Sequence, residues 1–481
     1  MKGEDKPLSM GDSSNLSQAT NNLSEQFINA RDIKDSIVVQ VVEQNNSNSM
    51  SQTVLENKLR EASNFYKNNF IFESIQLYEG ILNNISINEF RSQQGFVYGQ
   101  LGQLYTLYSR IKDREKNLVC SINAYQTAIK IFGEIDDKKQ LSDNYSNLGI
   151  AYCRMAEIRN SEENYLQALA VYEKSNLISG KEDDIQGYLE TLSSMGNTYC
   201  SLSQFSNKIE NLDNSLKLFN EISENINESN PLYGNMLVNT AKVLKKKYEL
   251  TLGINYLKES ISLLNKALDL YGIENDSDKY SLINNNLSTA HRELSHQENA
   301  EENVKLAIKF SSKALQIRTK DRWPVDYAHT SMISGHNYIR QAELSNNESD
   351  LEFAIVAFNE ALSIFTLIDN PIENAHVNFL LGNAYHLLAN IKDKQSNLNN
   401  AIAYIEHAEE VYKKKHKTID LAKINLKLGQ LHRELFLLGR ENSMKIKALD
   451  YLRRALPIFV KEEINDLTVI TNREIFTLSN N

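Results

Sequence analysis

Apolar side chains recur along most of this chain at the spacing of one helix face, and the faces themselves recur. Tyr145, Leu148, Gly149 and Tyr152 stand at i, i+3, i+4 and i+7. Tyr98, Leu101, Gly102 and Tyr105 carry the same pattern 47 residues earlier, and Leu192, Met195, Gly196 and Tyr199 carry it 47 residues later. One small residue holds the same place eight times: Gly102, Gly149, Gly196, Ala241, Ser288, Gly335, Gly382 and Gly429, in steps of 47 with a single step of 45. A fixed period of this length predicts a solenoid of stacked units. Glycine inside a helix costs about 1 kcal/mol against alanine, so its return at this marker position needs a packing cause, the close crossing of a neighbouring helix.

A second helix follows each marker. Polar stretches at Lys112–Lys116, Asn160–Glu163, Ser345–Ser349 and Lys392–Ser396 separate the two. Fifteen residues past the marker stand Asn117, Asn164, Asn211, Asn303, Asp350 and Asn397. Such side chains accept an orphan backbone N–H, so the pattern predicts them as N-caps, with Leu118, Leu212, Leu351 and Leu398 just inside the helix. Ala128, Ala267, Ala314, Ala361, Ala408 and Ala455 share one later phase, again where a helix must approach closely. Pro324 and Pro371 precede their markers by eleven residues, and Asn230-Pro231 and Asn370-Pro371 read as an N-cap followed by proline in the first turn. Each unit is thus a helix of about 20 residues, a turn, and a helix of about 17. Pro457 falls late in the last second helix and is expected to kink or end it.

The predicted fold is all-α, a right-handed superhelical solenoid of antiparallel helix hairpins. Eight long repeats occupy 91–462, a shorter helix pair 53–90, and a capping helix 463–481. Residues 1–25 are rich in Ser, Asn and Gln and read as a disordered tail. Residues 26–52 form a segment and linker containing Ser36-Ile37-Val38-Val39-Gln40-Val41-Val42. That β-branched run has two readings: a strand that pairs between chains, giving self-association through 36–42, or an amphipathic helix that caps the array.

Leu101-Gly102 with Tyr105, Leu148-Gly149 with Tyr152, and Leu381-Gly382 with Tyr385, followed by alanine and an aromatic in the second helix, resemble the tetratricopeptide repeat over residues 90–460. The departure is length, since standard repeats of this kind run about 34 residues. The segment Ile317–Ala328, with Gly335-His336-Asn337-Tyr338 after it, resembles a long variant found beside caspase-like (CHAT) protease domains. The resemblance implies an interaction module whose first helices line a concave groove. No protease sequence is present, so no protease activity is implied.

Composition and charge narrow the partner. The net charge is −10 and the pI about 5.6, which disfavours nucleic acid and anionic membrane as partners. Lys245–Lys247 and Lys413–Lys415 read as solvated helix faces. Cys120, Cys153 and Cys200 have no disulfide spacing, no apolar run reaches the ~20 residues of a membrane span, and the polar N-terminus lacks a signal-peptide core, so the expected location is cytoplasmic. No phosphate-binding glycine loop, Cys-x-x-Cys or His-Glu-x-x-His motif occurs, so the sequence predicts no cofactor, no metal and no catalytic set. His291 and His432 hold the phase of Tyr105 and Tyr152 and read as core rings.

The groove is expected to be lined by positions one and four past the marker. These give Gln103, Asn197, Lys242, His336, Asn383 and Gln430, and Lys245, Arg292, His386 and Arg433. Amide and basic groups of this kind suit capture of a peptide backbone and a carboxylate, with Lys242, Lys245 and Arg292 the sharpest cluster. The sequence therefore points to a non-enzymatic scaffold that binds a protein or extended peptide. The alternative is a sensor subunit that binds a ligand and gates a separate effector such as a CHAT-type protease.

Overall fold

The computed structural model describes residues 50–85, 90–274, 276–416 and 418–480; the polar tail and the run Ser36–Val42 lie outside them. The described residues form nineteen α-helices and no strand. A short pair comes first, α1 (Gln52–Lys67) and α2 (Ile71–Asn84). First and second helices then alternate: α3 (Arg91–Tyr108), α4 (Arg114–Glu134), α5 (Lys138–Ala156), α6 (Ser161–Ser179), α7 (Ile185–Leu202), α8 (Lys208–Asn225) and α9 (Leu232–Thr251). They continue with α10 (Ile254–Leu270), α11 (Ser277–Leu294), α12 (Ala300–Ile317), α13 (Pro324–Ser345), α14 (Glu348–Leu362), α15 (Pro371–Ala389), α16 (Lys394–Lys414), α17 (Thr418–Gly439) and α18 (Asn442–Lys461). The last, α19 (Asn465–Asn480), is in register with a further first helix. The chain divides into two compact units, Met1–Thr251 and Leu252–Asn481, the division falling in the turn between α9 and α10.

The marker residue is a notch. A methyl group added at Gly102 would lie 2.7 Å from the Tyr125 ring, at Gly196 2.9 Å from Phe219, and at Gly335 2.5 Å from Phe358, all closer than carbon atoms can approach. Gly149 meets Tyr172, Gly382 meets Ile405 and Gly429 meets Leu452 in the same way. The partner always stands 23 residues on, in the second helix of the same hairpin. Nineteen residues past the marker a second small residue completes the crossing: Ser121, Ala168, Ser215, Ser260, Ala307, Ala354, Ala401 and Ala448, all fully buried. In two repeats its serine hydroxyl donates to the marker carbonyl, Ser121 to Gly102 and Ser215 to Gly196, each at 2.7 Å. In the repeat marked by Ser288 the bond reverses, and Ser288 donates to the Ala307 carbonyl at 2.8 Å.

The expected N-caps are corrected by the structure. Asn117, Asn164, Asn211, Asn303 and Asn397 lie one turn inside their helices, which start earlier. The N-cap positions fall on Asp113, Asn160, Asn207, Asn299 and Asp393, eleven past the marker and left-handed in backbone, with φ from 42° to 47° and no side-chain bond to the helix N–H groups. The inner asparagines instead close the turn, their amide N–H donating to the carbonyl five residues back: Lys112, Arg159, Ser206, Glu298 and Lys392, at 2.6–2.9 Å. Where position fifteen is Tyr256, Asp350 or Met444, the latch is absent and the first helix runs on to the residue before the left-handed one. Left-handed backbone then falls on Leu252, Asn346 and Arg440. Asn and Asp tolerate this region; Leu252 and Arg440 are strained in it.

Proline behaves as expected at α13 and α15, both of which begin on it. Before α9, the Asn230 side chain accepts from the Leu232 N–H at 2.9 Å, so Pro231 precedes the first helical residue. Pro457 does not end its helix, which continues to Lys461. The carbonyl its ring leaves without an N–H belongs to Arg453, an exposed residue, where water can serve it.

Candidate functional site

Within each unit the first helices form the inner layer. Successive first helices pack on one another, α3 on α5, α5 on α7, α7 on α9, α11 on α13 and α17 on α19, whereas second helices pack mainly on first helices among the described residues. All ten predicted site residues stand on first helices, and none is fully exposed.

In the first unit Gln103 is half-buried and donates to the Tyr66 hydroxyl at 3.3 Å. Asn197 is buried, with 8% of its surface exposed. Lys242 is half-buried, and burial holds its ammonium below the usual lysine range. Lys245 pairs with Glu249 at 3.5 Å, and Lys246 reaches the Cys200 carbonyl at 3.4 Å. Cys153 is held by burial at a pKa of about 11, with its sulfur 3.2 Å from the Thr198 hydroxyl, which is no setting for a thiolate nucleophile.

In the second unit the structure brings Arg292 and His336 together, on α11 and α13. One Arg292 nitrogen, Nη2, lies 3.2 Å from Glu293; the other, Nη1, is buried without a hydrogen-bond partner. His336 meets the edge of Phe358 at 5.6 Å between ring centres. Burial, then the charges of Arg292 and His376, push its pKa well below the usual histidine range. His386 is committed elsewhere: its Nε2 lies 2.7 Å from Glu434 and its Nδ1 accepts from Lys427 at 2.8 Å. Arg433 pairs with Glu474 on α19 at 3.3 Å. Asn383 and Gln430 are half-buried on α15 and α17. Lys242 and Lys245 belong to the first unit and Arg292 to the second.

Sequence reasoning missed a buried polar seam in the second unit. Asn285 donates to Thr330 at 2.8 Å, and Arg318 to Ser281 at 3.0 Å. Asn337 donates to Ser288, Ala307 and Ser311, and its own Oδ1 has no partner. The signal was present in the run Asn284-Asn285-Asn286, whose first residue takes the seat held by Tyr98, Tyr145, Leu192 and Leu237 in earlier repeats. The two histidines read as core rings are that: His291 stacks on Phe310 and His432 on Tyr451. Among the described residues no group of His, Cys, Asp and Glu side chains could hold a metal ion, and no helix is long and apolar enough to cross a membrane.

No family model matches the sequence, and the search of curated proteins finds no match. Similar solved structures include the apo form of RapI, at 14% identity over 85% of this chain and 98% of that one, with a TM-score of 0.47. The apo form of the quorum sensor NprR from B. thuringiensis is similar at 15% identity over 83% of this chain and 98% of that one, TM-score 0.44. A signal transduction ATPase with a tetratricopeptide repeat sensor from Pyrococcus horikoshii is similar at 15% identity over 88% of this chain and 55% of that one, TM-score 0.47. The described residues of this chain are all-helical, in long hairpins that cross at paired small residues.

Proposed function

We propose that this protein is a non-enzymatic scaffold whose inner, first-helix face binds a protein or an extended peptide. The observation that carries the reading is Arg292: a buried guanidinium nitrogen without a partner, beside a histidine held neutral. A desolvated donor of this kind gains most from an incoming carboxylate or backbone carbonyl. Within the second unit Asn383 and Gln430 add donors suited to peptide backbone on first helices, and within the first unit Gln103, Asn197, Lys242 and Lys245 supply donors of the same kind. The net charge of −10 favours a protein partner over nucleic acid, and long repeats of both units, within 91–462, carry the candidate residues.

The test is capture of partners by the full chain and by Lys245→Glu and Arg292→Glu variants, read by quantitative mass spectrometry beside melting temperatures. The expected result is loss of the captured protein at an unchanged melting temperature. Arg292→Gln keeps the test readable should reversal loosen α11. Equal capture by all variants overturns the assignment. A change in solution scattering when the partner binds would make the scaffold a sensor.

A further inference from the structure

On the outer side of the first unit one repeat inverts an order of apolar and polar positions. Twenty-seven residues past the marker, five repeats carry a half-buried aliphatic residue, Ile129, Leu268, Leu315, Leu362 and Leu456, and two others carry Ser223 and Glu409. The next position is polar in six repeats and Pro457 in another. In the second repeat the order is inverted. Asn176 takes the seam and Leu177 takes the surface, where it is 86% exposed. The Asn176 amide N–H reaches only the Met195 sulfur, at 3.7 Å, and its Oδ1 is buried with no partner. The orphaned amide oxygen costs stability, and sites that break the local rules in this way are where function is sought.

Both residues line one cleft. It lies between α6 and α8, is floored by α7, and has a volume of about 450 Å³. Leu192, Met195 and Leu218 give it an apolar floor and wall. Glu173 stands on one rim and Glu221 on the other, the latter held by the Tyr188 hydroxyl at 2.9 Å. Lys217 is the one cation among the lining residues. Burial, then Glu173 and Glu210, hold the Tyr199 hydroxyl above its usual range, so a third carboxylate is near.

We propose that this cleft is a second docking site, separate from the inner face, for a segment of another protein that presents an apolar side chain next to Lys or Arg. The anchor fills the space over Leu192 and Met195. A backbone N–H of the segment satisfies Asn176 Oδ1, and its cation sits between Glu173 and Glu221. Charge complementarity selects this occupant, because the rim is acidic and the floor apolar.

The probe is the blocked hexapeptide Ac-Ser-Gly-Leu-Arg-Gly-Ser-amide, titrated at millimolar concentration into the methyl-labelled full chain and followed by NMR. Expected are shifts of the Met195, Leu192 and Leu218 methyls. They should vanish when serine replaces the peptide's leucine, and weaken by about fivefold when glutamate replaces its arginine. Leu177→Ser, a surface change, should weaken binding at an unchanged melting temperature. Asn176→Leu, which restores the repeat, should raise the melting temperature and abolish the shifts. The proposal is overturned by absence of shifts at these methyls or by indifference to the peptide's charge. It is also overturned by shifts confined to inner-face methyls, or by shifts that grow with protein concentration alone and so mark a second copy as the occupant. Binding at the inner face is read from different methyls, so either site can fail without the other.

Discussion

The two units are built from one repeat, yet all nine histidines of the chain lie in the second. Three residues past the marker the first unit places Tyr105, Tyr152 and Tyr199, whereas the second places His291 and His432 in two of its seats and Tyr338 and Tyr385 in the other two. The rings stack alike, His291 on Phe310 and His432 on Tyr451, at 5.5 and 5.6 Å between centres. What differs is that a histidine ring can take up a proton. Burial lowers the pKa of His291, His296, His336 and His386, and lowers that of His432 to about 4. The second unit therefore has a histidine titration that the first lacks.

The largest expected effect is acid uncoupling of the units. Near pH 7 these histidines are neutral both folded and unfolded. Below about 6.5 the unfolded chain takes up protons that the folded unit refuses, so stability of the second unit falls as pH drops from 6.5 towards 4. His432 alone should contribute about 2 kcal/mol of this loss, after allowance for solvent screening. Burial-raised carboxyls act in the opposite sense, but they occur in both units, at Asp143 and Glu157 and at Asp278 and Glu409, and do not set the units apart. Hydrogen exchange at pH 7 and pH 5, corrected for intrinsic rates, should show α11–α18 losing protection ahead of α3–α8. His432→Tyr should recover part of it. Parallel loss in both units would remove the distinction.

The turns sharpen the comparison at a smaller scale. The three complete long repeats of the first unit are latched by Asn117, Asn164 and Asn211; in the second unit Asn303 and Asn397 latch, while Asp350 and Met444 stand where a latch would be. Asn211→Leu should cost about 2 kcal/mol, because the Ser206 carbonyl loses a buried donor. Asp350→Ala should cost less than about 0.5 kcal/mol, its contact being a surface bond from Ser345. Urea denaturation with exchange over α7–α8 and α13–α14 measures both. Smallest is a gain: Arg440→Gly relieves left-handed backbone and should stabilise the last hairpin by about 1 kcal/mol, while Asn160→Gly should be near neutral.

The asparagines show how far the sequence could be read. Their period announced a turn, and the turn is there. Their role was misassigned, because an N-cap and a turn latch differ by four residues of helix start. Either position offers an Asn or Asp: Asn160 stands at the N-cap position and Asn164 latches in one turn, Asp393 and Asn397 likewise in another. The candidate residues were likewise legible as first-helix positions, but not by partner. His386 and Arg433 look equivalent to Arg292 in sequence, and only packing against Glu434, Lys427 and Glu474 commits them. The notch of Gly102 was legible as smallness, while its occupant, Tyr125, was not.

By itself the sequence determined the period, the helical hairpin and the places where helices must cross closely. These follow from the spacing of apolar and small residues along a single helix, which is local information. Tertiary structure alone decided which asparagine stands at the N-cap position and which latches, which cations keep a free nitrogen, and which histidines stay neutral. Each of those depends on the water and charge that neighbouring helices remove or supply, from residues up to about one repeat away in the chain.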